Sequence, residues 1–159
     1  MRILFLGDVV GISGCSKIMN NLLDLIKLHK INFVIVNAEN ASDEGVGLTQ
    51  EICEDFFKCG VNVITTGNHV WDQKEIMSYI DTENRLLRPY NLFEPSPGKG
   101  FEIFKTSNNI SVGVLNLMGN VFMKKCEDVF ETAKKFLENN VLKKDYDFLI
   151  VDFHGEITS

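Results

Sequence analysis

What this chain lacks narrows it quickly. No stretch approaches the ~20 apolar residues of a membrane-spanning helix, and the first apolar run, Ile3–Leu6, is broken at once by Gly7 and Asp8, so it makes no secretory signal either. Cationic excess is missing too: 16 Lys and Arg face 22 Asp and Glu, a formal net charge of −6. A partner such as duplex nucleic acid or an anionic membrane surface normally calls for a basic protein, so neither is expected. A small anion is still allowed, because a local metal charge can outweigh the global field. The four cysteines, Cys15, Cys53, Cys59 and Cys126, contain no C-x-x-C pair and fit no zinc spacing. They read as small buried hydrophobes in a reduced, cytoplasmic protein. There is one Trp against twelve Phe, which points to an aromatic-rich core rather than a binding surface.

The remaining composition, 45% hydrophobic and 24% charged over 159 residues, is that of one soluble domain with a real core. Short apolar runs alternate with amphipathic segments, which predicts an α/β fold. Ile3–Leu6 reads as a buried strand. Residues 16–29 follow as a helix, with Ile18, Leu22, Leu25 and Ile26 at helical spacing. A second strand spans 33–36. Thr49 then reads as the N-cap of a helix carrying Ile52, Phe56 and Cys59, stopped by Gly60. A third strand spans 61–64, and a short helix 73–80. Pro89, Pro95, Pro97, Gly98 and Gly100 mark irregular chain. Two strand-like runs, 101–104 and 111–115, flank a hairpin turn at Asn108-Asn109. A helix with Val129, Ala133, Phe136 and Leu137 and a last buried strand, 148–151, complete the pattern.

The chemistry sits just after the strands. Gly7-Asp8 follows the first, Asn37-Ala38-Glu39-Asn40 the second, Thr65-Thr66-Gly67-Asn68-His69 the third and Asp152-Phe153-His154-Gly155-Glu156 the last. Open α/β sheets bind ligands beyond the carboxyl ends of their strands, and Asp, Glu, Asn and His are oxygen and nitrogen donors suited to divalent metals. Each alone has a plain structural reading: Asp8 as a cap, Asn40 as a turn residue, His154 as a core histidine. Four strand ends delivering such residues together make a site.

These stretches, with Gly67-Asn68-His69-Val70-Trp71-Asp72, Arg88-Pro89 to Gly100 and Asn116-Leu117-Met118-Gly119, resemble the YmdB-like metallophosphoesterases of the calcineurin-like superfamily. The resemblance covers essentially the whole chain. It implies an α/β sandwich with α-β-β-α layers, two metal ions, and hydrolysis of small phosphodiesters of the 2′,3′-cyclic nucleotide type. It also implies roles. Asp8 and Asn40 would hold the first metal, Asn68 and His154 the second, and Glu39 would bridge them. His69 would stay off the metals and protonate the leaving oxygen, a task suited to a side chain that titrates near neutrality. Iron or manganese is the expectation, with zinc or magnesium compatible.

The family pattern continues to a later Gly-Thr-His-x-His type motif that supplies one further His to each metal. Only three His are present, and His29 lies in a Lys-flanked helix end. The expectation is therefore a metallophosphoesterase domain lacking its C-terminal part. The alternative is a catalytically silent metal- or nucleotide-binding module, and an edge opened by truncation would invite a homo-oligomer. Gly7, Gly11 and Gly14 read as backbone clearance near the site, Trp71 as packing, and Lys124-Lys125, Lys134-Lys135 and Lys143-Lys144 as solvated surface.

Overall fold

In the computed structural model, which describes residues 1–156, the apolar runs form two sheets. The element order is β1 (Ile3–Leu6), α1 (Gly11–His29), β2 (Phe33–Asn37), α2 (Gln50–Lys58), β3 (Val63–Thr65), α3 (Ile76–Tyr79), β4 (Leu86–Leu87), β5 (Phe101–Lys105), β6 (Ser111–Met118), α4 (Val129–Asn139) and β7 (Phe148–His154). The first sheet runs β1-β2-β3-β4, all parallel. In the second, β5-β6-β7, the first pair is antiparallel and the second parallel.

The alternation of side chains along β2 builds the layers. Val34 and Val36 face one way and pack with Leu22 of α1 and Cys53 and Phe56 of α2. Phe33 and Ile35 face the other way and meet Val112 and Val114 of β6, with Ile150 of β7 against them. A strand covered on both faces needs an unbroken apolar run, which is what β2 has. The outer face of the second sheet, through Leu115 and Leu117, packs on Val129 and Phe136 of α4. Helices, sheet, sheet and helix therefore stack in the expected α-β-β-α order. Each fully buried side chain of this kind contributes about 1.5–3 kcal/mol relative to exposure.

Several expectations need correction. Strands β1 and β7 are edge strands rather than buried ones: Phe5 is 41% exposed, and Phe148, Val151 and Phe153 are 42%, 47% and 56% exposed. Their apolar runs look the same as those of central strands, so periodicity does not separate them. Helix α1 starts at Gly11, five residues before the expected position, because its N-cap Val10 offers no capping side chain to read. The helix expected over 73–80 contracts to Ile76–Tyr79. Strand β4, two residues long, is too short to leave a sequence signal. Cys15 and Cys53 are buried as expected, whereas Cys59 and Cys126 are partly exposed; all four are free thiols. Trp71 packs against the α1–α2 core. No helix among the described residues is long and apolar enough to cross a membrane.

Helix α2 does begin as its sequence predicts: the Thr49 side chain accepts a hydrogen bond from the Ile52 backbone N–H at 3.3 Å. Thr49→Ala removes that acceptor and should lower unfolding free energy by about 1 kcal/mol. Urea titration checks this as a lower midpoint at unchanged slope.

Candidate functional site

Because β1, β2 and β3 run parallel, their carboxyl ends open on one side, and β7 brings the end of the second sheet to the same place. The loop after β1 is pinned to the loop after β2 by two backbone bonds, Val9 N–H to Asn37 O at 2.9 Å and Gly11 N–H to Asn40 O at 2.8 Å. Just before them Asp8 adopts a left-handed conformation, φ 47°, which Asp tolerates better than most residues. Its Oδ1 accepts from Asn40 Nδ2 at 2.9 Å.

The same Asn40 amide lies 3.3 Å from Glu39 Oε1. Glu39 is 1% exposed. Its Oε1 also lies 2.8 Å from Nε2 of His154, which reaches across from the second sheet. Asn68 Oδ1 is 3.1 Å from that same Nε2, and the His69 backbone N–H donates to Glu39 Oε2 at 3.3 Å. The five residues expected at the site thus form two sets joined at Glu39: Asp8 and Asn40 on one side, Asn68 and His154 on the other.

The His69 ring stands apart from this chain of donors. Its ring Nδ1 is 2.5 Å from Asp72 Oδ2, and Asp72 Oδ1 is 3.1 Å from Lys124 Nζ. Burial opposes ionisation of Asp72, but the hydrogen bonds from His69 and Lys124 outweigh it and hold the carboxyl below its ordinary value. Neither partner is among the expected site residues. Asp72 shares a motif with His69 at a spacing of three, which is the signal that points to it. Lys124, expected as solvated surface, is exposed but also paired.

Further residues missed by sequence reasoning lie beneath the site. Asn37 Nδ2 donates to Asp152 Oδ2 at 2.8 Å, and the Thr66 N–H donates to Asn116 Oδ1 at 2.9 Å. Both bonds cross from one sheet to the other. Burial raises the Asp152 pKa against the bond from Asn37. The signal for each is a polar residue inside or ending an apolar run. Close approach, expected at Gly7, Gly11 and Gly14, holds at Gly14, where a Cβ would meet Val9 Cγ1 at 3.0 Å, and is tightest beside the site at Gly67. A Cβ there would overlap Glu39 Oε2 and the His154 ring, whereas at Gly7 it would make ordinary contact. At Gly11 the requirement is conformational, φ +59°.

Can these residues hold metal? Among the described residues, no three His, Cys, Asp or Glu side chains alone gather closely enough to hold an ion, so Asn40 and Asn68 are needed in any shell. The donor chemistry fits. Glu39 Oε1, Asn68 Oδ1 and His154 Nε2 converge within hydrogen-bond distance around one proton, a position that a cation displacing that proton would share. Asn40 Oδ1 is buried without a hydrogen-bond partner, and such orphaned acceptors are uncommon in native structures. Among the described residues no Lys or Arg pairs with Asp8 or Glu39.

A model of a family described as YmdB-like protein matches residues 4–159. The 2′,3′-cyclic-nucleotide 2′-phosphodiesterase of Bacillus subtilis is 40% identical over 159 residues, covering all of this chain and 59% of that protein. Among solved structures, a hypothetical protein from Thermus thermophilus superposes with a TM-score of 0.88 at 31% identity, over 99% of this chain and 59% of the other. A novel phosphatase from Mycoplasma pneumoniae gives 0.85 at 35% identity, over 99% and 56%. The chain spans less than two thirds of the length of each.

Electrostatics at His154 give a direct check. Burial works against its charged form, but the hydrogen bond and charge of Glu39, with the charges of Asp152 and Asp8, prevail and raise its pKa above the ordinary imidazole value. Glu39→Gln removes the strongest of these while the ring stays buried. In the metal-free protein the His154 pKa should then fall, read from imidazole proton shifts in an NMR titration.

Proposed function

We propose that this chain, which belongs to the YmdB-like protein family, carries most of a two-metal phosphodiesterase site acting on small 2′,3′-cyclic nucleotides. The observation that carries this reading is the shared carboxylate: Glu39, buried, touches Asn40 on one side and His154 on the other through the same oxygen. A bridging ligand between two cations needs that position. Asp8 and Asn40 would hold one divalent ion, and Asn68 and His154 the other. Iron or manganese suits this mixed oxygen and nitrogen set, and zinc or magnesium is compatible with it. Bound there, a metal pair supplies charge that clamps the attacking and leaving oxygens of a phosphodiester.

The chain's own residues account for the rest. The water oxygen bonds to phosphorus and releases a proton to solvent, the bond from phosphorus to one ribose oxygen breaks, and that oxygen takes a proton from the His69 ring, which is reprotonated from solvent. With Nδ1 committed to Asp72, Nε2 is the nitrogen that delivers it. Glu39 and Asp8 are the only anionic residues among the five donors, so two divalent ions would leave net positive charge facing the phosphate in a protein of net charge −6. Lys pairs scattered among acids make no basic stripe in the sequence for a long nucleic acid, which favours a small substrate. The cleavage named for the B. subtilis relative, at a 2′,3′-cyclic nucleotide, is the reaction this geometry suits.

Two measurements test the roles. Glu39→Gln should lose most bound metal by elemental analysis, since one carboxylate serves both ions; full retention would overturn the bridging assignment. His69→Ala should keep its metal and lose about 10²- to 10⁴-fold in turnover of 2′,3′-cyclic AMP with Mn²⁺. Loss of metal as well would make His69 a ligand. Wild-type turnover that vanishes in Asp8→Asn supports the enzyme. Metal binding without turnover would instead favour the silent binding module.

A further inference from the structure

The segment joining β6 to α4, residues 119–128, is fixed at both ends beside the site. The Gly119 N–H donates to His154 O at 2.8 Å and the Glu127 N–H to Asn91 O at 2.9 Å. Asn120 closes the segment on itself, with Nδ2 donating to Glu127 O at 3.0 Å and Oδ1 accepting from the Val129 N–H at 3.1 Å. Lys124 projects from this tethered loop, and its Nζ reaches Asp72 across 52 residues of sequence at 3.1 Å. The two oxygens of Asp72 are therefore divided: Oδ1 faces Lys124 and Oδ2 faces Nδ1 of His69.

We infer that Lys124 is a positioning residue for proton delivery, holding the Asp72 carboxylate in the rotation that fixes the His69 ring, its tautomer and the aim of Nε2. This inference deepens the phosphodiesterase reading above and rests on it for its catalytic consequence. The Asp72 side chain is 30% exposed, so water competes for both of its oxygens, and a carboxylate turns readily about its terminal torsion. An ammonium on Oδ1 removes that freedom and leaves Oδ2 aligned on Nδ1. With Nδ1 donating to a fixed acceptor, the remaining nitrogen keeps one direction, which is what general-acid geometry demands. The pair itself does little for stability, because Lys124 is 57% exposed and surface ion pairs contribute little. An intact fold with altered chemistry is therefore the expected phenotype.

The balance of the step decides the assay. Opening a cyclic nucleotide expels a ribose alkoxide, which needs the proton; expelling p-nitrophenolate from bis(p-nitrophenyl) phosphate does not. In the metal-loaded protein, Lys124→Met should lower kcat on 2′,3′-cyclic AMP roughly 10- to 100-fold, the scale of a misplacement of about 1 Å. Its KM, metal content, thermal midpoint and rate on the nitrophenyl diester should stay near wild type, and Lys124→Arg should restore most of kcat. Equal losses on both substrates, or no loss on either, overturn the inference. A second readout does not require turnover: long-range ¹H–¹⁵N NMR of the His69 ring in metal-free protein, at a pH where the ring is neutral. Wild type should show the Nδ1-protonated tautomer, and Lys124→Met a mixture approaching that of Asp72→Ala. An unchanged tautomer in Lys124→Met overturns the inference as well. Wild type inactive on both substrates would count against the phosphodiesterase reading, while the NMR result would still decide the role of Lys124.

Discussion

The organisation of the site turns on one carboxylate that has been taken out of water. Glu39 is 1% exposed, and an ionised group at that depth is tolerated only where partners replace its hydration. Those partners come from three separate pieces of chain: the Asn40 amide beside it, the His69 backbone N–H after β3, and the His154 ring at the end of β7. The need to satisfy Glu39 therefore draws two sheets and three loops to one point. It also explains Gly67. The backbone passes so close to Glu39 and His154 that any Cβ there would occupy the space of their side chains.

Below that point the sheets are held in alignment by polar rather than apolar contacts. The Phe33, Ile35, Val112 and Val114 contacts hold the sheets face to face, but apolar packing is non-directional and tolerates sliding. Asn37 to Asp152 and Thr66 to Asn116 are directional bonds between the two sheets, placed at the strand ends where the donors emerge. A buried hydrogen bond with one partner shifted away costs more than it contributes when made, so these pairs penalise any slip of β6 and β7 against β2 and β3. The register that places His154 over Glu39 is set there.

Which features are legible in the sequence follows from which signals are local. Strand ends after apolar runs are local, so Asp8, Glu39, Asn40, Asn68, His69 and His154 can be gathered from sequence alone, and the fold brings the five donors among them into one hydrogen-bonded chain. Layer order is legible for the same reason, through the double-sided apolar run of β2. Edge position is not local. The runs 3–6 and 148–151 have the composition of central strands, and only their neighbours reveal that each lies at a sheet margin. The early start of α1 is hidden because Val10 caps nothing. Lys124 is hidden because its composition looks solvated and it is indeed exposed; what distinguishes it is a partner 52 residues away. Long-range pairs between exposed residues leave no periodicity to detect.

Asp8, Glu39 and Asp72 concentrate acidic side chains at one end of a protein of net charge −6, and the basic side chains paired with them are His69, Lys124 and His154. All three are already engaged, His154 with Glu39 and His69 and Lys124 with Asp72. An anionic phosphodiester approaching these residues alone would meet repulsion from acids whose counter-charges are spent. On the proposed reading the sign reverses only when cations take the place of the His154 proton and reach the orphaned Asn40 oxygen. Metal and substrate would then be thermodynamically coupled: the phosphodiester gains affinity from the ions, and by reciprocity the ions are held more tightly when the phosphodiester is present. Such coupling suits a shell with few charged ligands, because the ions then keep charge for a substrate anion to balance. The acidic surroundings that argue against a polyanionic partner are thus compatible with a small anionic substrate.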